Sequence, residues 1–134
     1  MIPQTAFVVA GPFGDTLSAD RVAQTIARGL LAGGQPAPDL CPVEEALPID
    51  FDLRMKRARA VVLAEARLRG DSLRGSVAFE IATRARQGGV PAYAVTGENA
   101  LAPFDARILD LQVIFEASSP RALAAAGRML AQVL

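Results

Sequence analysis

The stretch TAFVVAGPFGDTLSADRVAQTIARGLLAGG (residues 5–34) joins three patterns that together decide the fold. Its first part, Thr5 to Ala10, is apolar and rich in β-forming residues, which predicts a buried strand. From Ser18 onward the apolar residues recur every three or four positions, which predicts a helix that stops at Gly33-Gly34. A buried strand that feeds a helix through a short turn is typical of α/β folds built around a parallel sheet.

The same strand-then-helix pattern recurs along the rest of the chain. It predicts further strands at residues 39–43, 60–64, 91–96 and 111–115, and further helices at 51–58 (capped by Asp50), 77–88 and from Pro120 to the C-terminus. Residues 65–76 are predicted as a loop, and residues 97–107 as a loop with room for one short turn of helix. We therefore expect one α/β domain with an open, mostly parallel sheet of about five strands and helices on both faces.

Composition excludes several classes of function. The chain has 134 residues, 14 basic and 14 acidic, with no histidine, so histidine-dependent triads and zinc sites are excluded and a nucleic-acid partner is not expected. No apolar run approaches the roughly 20 residues of a membrane span. The single Cys41 and the absence of a secretory-type start predict a cytoplasmic protein with no membrane partner.

In an open α/β sheet, ligands bind outside the carboxyl ends of the strands. That rule gathers residues 11–16, 65–72 and 96–99 at one edge. Glu65 follows a predicted strand directly and could bind a metal, a ribose or a substrate hydroxyl, or only cap a helix or pair with an arginine. Arg67, Arg69 and Arg74 could hold a carboxylate or phosphate, or form a solvated basic edge that pairs with Glu65 and Asp71.

The turn GPFGDT (residues 11–16) raises the possibility of a phosphate-binding loop at a helix N-terminus. It lacks the lysine of the Walker pattern, because Gly14 is followed by Asp15 and Thr16, and it lacks the third glycine of the dinucleotide pattern. Two interpretations stand: a ligand-binding loop, or a plain strand-to-helix turn capped by Ser18.

Two segments resemble the bacterial glycerate kinase family. FGDTLSADRVAQTIARGL (residues 13–30) is similar to the family's opening motif, Ala-Pro-Asp-Ser-Phe-Lys-Gly-Thr-Leu-Ser-Ala and a helix. AVVLAEARLRGDSLRGSVAFEIATRARQGGVPAYAVTG (residues 60–97) is similar to its Gly-Glu-Gly-Arg-Leu-Asp segment, the following helix and the Gly-Val-Pro strand. The matching residues are Phe13, Thr16, Leu17, Ser18, Ala19, Glu65, Arg67, Leu68, Ser72, Leu73, Gly75, Gly89, Val90 and Pro91.

The resemblance implies the Rossmann-like lobe of such a kinase standing alone, with ATP and Mg²⁺ as cofactors if activity is retained. This chain also departs from the family's motifs. In the opening motif, Gly11 and Gly14 stand where the family has Asp and Lys; in the second segment, Arg69 and Ser76 stand where it has Asp and Lys. By this resemblance the candidate catalytic residues are Glu65 and Asp15, and the candidate anion- or substrate-binding residues are Gly14, Thr16, Ser18, Arg67, Arg69, Ser72 and Gly75.

Three functional hypotheses follow. The first is a degenerate relative that no longer transfers phosphate and serves as a binding or interaction module, with or without an anion site kept at the helix that begins near Ser18. The second is an active kinase of glycerate or a similar small hydroxy acid, with Glu65 and Asp15 around Mg²⁺ and Arg67 or Arg69 neutralising charge. The third is a flavodoxin-like domain that binds another nucleotide or a protein.

A homodimer through Leu47, Ile49 and Phe51 is also expected, since the missing second lobe would leave apolar surface uncovered. The alternative is that the chain folds back locally and covers this surface itself.

Overall fold

The computed structural model describes residues 5–70 and 76–134 and has a five-stranded sheet in the order β2-β1-β3-β4-β5, with every neighbouring pair parallel. The predicted open α/β sheet is therefore confirmed. This strand order is the flavodoxin-like one among doubly wound folds. The strands are β1 (Ala6–Ala10), β2 (Asp39–Pro42), β3 (Ala60–Arg69), β4 (Ala92–Ala100) and β5 (Leu111–Glu116); the helices are α1 (Ala19–Ala32), α2 (Phe51–Lys56), α3 (Val77–Gly88), α4 (Pro103–Leu109) and α5 (Pro120–Val133).

Each face of the sheet has its own core, because successive strand side chains alternate between the faces. Val8 and Val62 point to the side covered by α1 and α5. Phe7, Val61 and Leu63 point to the side covered by α2 and α3. Helices thus cover both faces, and the central strands read as continuous apolar runs for that reason.

The helix starts follow ordinary capping chemistry. The hydroxyl of Ser18 accepts the N–H of Arg21 at 3.2 Å, and that of Ser119 accepts the N–H of Ala122 at 3.1 Å. At α3 the cap is Ser76. Asp50 is the N-cap residue of α2, as predicted, but its side chain makes no capping hydrogen bond.

Two predicted loops are wrong in part, because β3 and β4 continue as strands beyond the end of β1. The residues from Glu65 to Arg69 pair with those from Thr96 to Ala100, although neither run is apolar. Gly97 allows this close pairing: a Cβ at this position would lie 2.7 Å from the carbonyl oxygen of Ala66. The two strands therefore extend past the sheet's carboxyl edge as a two-stranded ribbon, defined here as residues 66–69 and 97–100.

The expected apolar patch at residues 47–51 is largely covered by the chain itself. Phe51 is fully buried, with its ring centroid 5.3 Å from that of Phe7, and Leu47 packs partly against the same core. Ile49 is fully exposed and Leu53 is half-exposed. Among the described residues, no helix is both long and apolar enough to cross a membrane.

Candidate functional site

A row of residues crosses the carboxyl end of the sheet from β1 to β5. The registers Glu65 to Thr96 and Thr96 to Glu116 make these three residues direct neighbours, and the N–H of Gly11 donates to the carbonyl of Ala64 at 2.9 Å. The boundary between β1 and β3 is the topological switch point of this strand order, where doubly wound folds open a crevice for ligands. Gly11 and Glu65 stand on either side of that boundary.

Glu65 is the half-buried member of this row, and its carboxylate lies beside Gly11. A Cβ on Gly11 would lie 3.7 Å from both carboxylate oxygens of Glu65, so only backbone faces them there. Burial raises the pKa of the Glu65 carboxyl above its ordinary value of 4.5, and no charged neighbour among the described residues contributes to the shift. Within residues 5–70 and 76–134, no hydrogen bond or ion pair to this carboxylate is found.

The other polar members of the row are engaged within the protein. Thr96 is buried, and its hydroxyl donates to the carbonyl of Glu98 at 3.0 Å. A carboxylate oxygen of Glu116 accepts the N–H of Asn99 at 3.0 Å. Glu65 therefore differs from both of its polar neighbours along the row, because its acceptor capacity is not used by the described part of the chain.

The turn after β1 closes on itself. The N–H of Phe13 donates to the carbonyl of Leu17 at 2.9 Å, and the side chains of both residues are buried in the core beneath α1 and α5. Gly14 sits at the tip with a φ of 64°, which glycine adopts without strain. Asp15 and Thr16 are exposed at the same tip. This geometry favours the interpretation of a plain strand-to-helix turn.

The described residues show no preformed cluster for Mg²⁺. No group of three or more potential metal-ligating side chains is found in the described ranges. The two predicted catalytic residues also differ in their surroundings, because Asp15 is exposed at the tip of the turn whereas Glu65 is half-buried beside Gly11.

Within the described residues, no predicted arginine forms an ion pair with Glu65. The Nε of Arg67 donates to Glu98 at 2.6 Å across the ribbon, and both side chains are more than half-exposed. Arg69 is exposed at the end of β3, and Ser18 is used as the helix cap. Three further predicted binding residues, Ser72, Arg74 and Gly75, lie outside the described residues.

An open crevice of about 480 Å³ lies beside this row, on the side of the sheet covered by α1 and α5. Its floor is formed by Ala66 and Gly97, its walls by Phe13 and Ser118, and its rim by the Arg67–Glu98 pair. Because residues along a strand alternate between faces, Glu65 lies on the opposite face from Ala66. Carboxylate and crevice are thus two adjacent features of one sheet edge.

The comparisons with known proteins support the fold alone. No family model and no curated protein matches the chain. Among solved structures, a putative pilus assembly-related protein from Burkholderia pseudomallei K96243 is similar, with a TM-score of 0.53 and 15% sequence identity over 98% of this chain and 92% of that one. At that identity the similarity carries the architecture and not a role.

Sequence reasoning placed Gly11 and Thr96 at this edge but gave neither residue a role in the site. Thr96, predicted as the last residue of a strand, ends the buried part of β4 beside Glu65. The available signal was a polar residue closing an apolar run, AYAVT (residues 92–96), at the same position where Glu65 closes AVVLA (residues 60–64). Two matched strand ends of this kind indicate neighbours in a parallel sheet.

Proposed function

We propose that this chain is a binding module that does not transfer phosphate, with its ligand site at the carboxyl ends of β1 and β3. The observation that carries the proposal is the surroundings of Glu65: the carboxylate is half-buried beside Gly11 at the switch point, and none of the described residues forms an ion pair or hydrogen bond with it. Phosphoryl transfer requires cations around the transferred group, because charge on its oxygens must be stabilised. The described edge offers a carboxylate in that position instead.

The proposal combines two of the hypotheses. The flavodoxin-like strand order supports a domain that uses its switch point for recognition, and Gly11 and Gly14 replace the charged residues of the glycerate kinase motif. We propose a degenerate relationship to that family on the two matching segments, and we expect the module in the cytoplasm. A small hydroxy acid or phosphate-containing ligand would belong to the competing kinase hypothesis.

A coupled ADP-release assay tests this proposal. The chain at high concentration is incubated with ATP, Mg²⁺ and glycerate or another small hydroxy acid, and an active glycerate kinase in the same assay is the positive control. We expect no turnover above the rate without protein. Turnover that is lost in Glu65→Gln but kept in Glu98→Gln would establish the kinase hypothesis instead.

A further inference from the structure

We infer that the switch-point site binds a cationic hydrogen-bond donor, a guanidinium or ammonium group, through the carboxylate of Glu65 and does not bind phosphate. This inference rests on the proposed function and names the chemistry of its ligand. It reverses the expectation from the kinase resemblance, in which the same edge would hold an anion.

The first argument is the unused capacity of the carboxylate. An ionised carboxylate accepts hydrogen bonds at two oxygens, and a half-buried one that finds no partner is costly to keep in that position. Neighbouring Thr96 and Glu116 are both hydrogen-bonded within the protein. The carboxylate oxygens of Glu65 are also not fully enclosed by protein. In the described part of the chain, the fully enclosed side-chain oxygen without a hydrogen-bond partner is Oε1 of Gln35, not an oxygen of Glu65.

The second argument is the shape of the site around that carboxylate. On the Gly11 side a single Cβ would already reach contact distance, 3.7 Å, from both oxygens of Glu65, so a ligand must approach the carboxylate from its partly exposed side. A planar guanidinium can donate two parallel hydrogen bonds to a carboxylate, and an ammonium can donate three bonds from one point. Within the described ranges, no protein group competes with such a donor for the two oxygens.

The third argument is the lack of a cation for an anionic ligand among the described residues. Arg67 is held by Glu98 across the ribbon at 2.6 Å, and within residues 5–70 and 76–134 no arginine lowers the pKa of Glu65. A phosphate placed here would meet a carboxylate with no compensating charge from those residues, and like charges in a partly buried site repel strongly. The same placement stabilises a cation.

Nuclear magnetic resonance titration tests the inference on the complete chain. The probes are methylguanidine and butylamine as free cations, the peptide acetyl-Gly-Arg-Gly-amide, and inorganic phosphate and ATP as anions. We expect the amide signals of Gly11, Glu65 and Thr96 to shift saturably with the cations. Stronger binding of the peptide than of methylguanidine would identify a partner's side chain as the source of the cation, and equal binding a free small molecule.

Two variants and a pH series make the titration decisive. Glu65→Gln should weaken cation binding by about tenfold, because a charge-assisted hydrogen bond is lost, whereas Glu98→Gln should leave it unchanged. Should Glu65→Gln fail to fold, as its own spectrum would reveal, the wild-type chain remains informative: cation binding should weaken on acidification as the carboxyl is protonated.

The outcomes separate the inference from the proposed function. Shifts with phosphate or ATP and none with cations would overturn the inference and leave a non-catalytic module intact. Cation shifts that persist in Glu65→Gln, or no shifts with any probe, would also overturn it. Turnover in the ADP assay would overturn the proposed function, whatever the titration gives.

Discussion

Gly29 of α1 and Gly127 of α5 lie back to back where the two helices meet, so close that a Cβ on Gly127 would fall 2.9 Å from the Cα of Gly29. The same Cβ would come within 2.4 Å of the carbonyl oxygen of Ile26. Neither atom belongs to a flexible side chain that could move away. Glycine is therefore required at this contact by the distance between two backbones.

Gly127→Ala should destabilise the protein. In an ordinary helix interior, the replacement of glycine by alanine stabilises by roughly 0.5–1 kcal/mol. Here the two helices would have to separate, and overpacking of this kind costs about 1–3 kcal/mol. We expect a lower midpoint of urea unfolding, with an unchanged dependence of the unfolding free energy on urea concentration.

Gly88→Ala is the control. A Cβ at position 88 would lie 3.0 Å from Cε of Met55, which is the end of a flexible side chain and not a backbone atom. A Gly127→Ala variant as stable as wild type would refute the close contact.

Arg54 should be hard to replace, even by lysine. Its guanidinium donates to both carboxylate oxygens of Asp39, at 2.7 and 3.0 Å, and to the carbonyl of Leu40 at 2.9 Å, and it lies over the ring of Phe7. An ammonium cannot reproduce this planar fork. We expect Arg54→Lys to lower the free energy of unfolding by about 1 kcal/mol.

The control for that prediction is Arg84→Lys. Arg84 also pairs with two carboxylates, Asp52 and Glu80, but all three side chains are at least one-third exposed. Exposed pairs contribute roughly 0–1 kcal/mol, so this change should be close to neutral in the same urea titration. Equal losses of unfolding free energy in both variants would mean that the paired hydrogen bonds of the Arg54 guanidinium add no stability beyond that of an exposed ion pair.

The buried strand cores were predictable, and the ribbon was not. AVVLA (residues 60–64) and AYAVT (residues 92–96) are apolar runs whose burial follows from composition alone. From Glu65 onward the strand continues because β3 and β4 pair with each other, with Arg67 opposite Glu98. That pairing joins residues far apart in sequence, so no local pattern reveals it. Gly97, which resembles a loop residue, is needed for the close approach.

The candidate site was predictable in position and not in chemistry. Glu65 at a strand end pointed to the carboxyl edge, and the structure places it there beside Gly11. Its lack of a cationic partner in the described ranges depends on Arg67, whose guanidinium pairs with Glu98 across the ribbon. That pairing joins residues far apart in sequence, so the local sequence does not reveal it.

Glu65→Gln should stabilise the protein at neutral pH. Because burial raises the folded-state pKa of this carboxyl above its ordinary 4.5, the folded state holds the proton more tightly than the unfolded state. Stability therefore falls as the pH rises from 4.5 through the folded-state pKa, and the penalty is complete above it. Glutamine carries no such penalty, so the gain at pH 7 should be at most about 1 kcal/mol.

Urea titrations at pH 4 and pH 7 measure this difference. The advantage of Glu65→Gln should be present at pH 7 and shrink at pH 4, where the wild-type carboxyl is protonated in both states. Glu98→Gln, which removes an exposed ion pair, should give no advantage at either pH. An advantage of Glu65→Gln that is equal at both pH values would point to packing rather than ionisation.

We also propose that the chain forms a homodimer, now through a smaller surface than the sequence indicated. Phe51 is inside the core, so Phe51→Asp would unfold the protein and cannot probe an interface. Ile49 is fully exposed, with half-exposed Leu53 nearby in sequence, and two-fold pairing would remove both side chains from water.

We expect Ile49→Asp to abolish association without loss of stability. Leu31→Asp, at a half-exposed position on α1, is the matched control and should still associate. Sedimentation over a hundredfold concentration range decides the matter: a wild-type chain that stays monomeric throughout, or equal dissociation in both variants, would remove Ile49 from any interface.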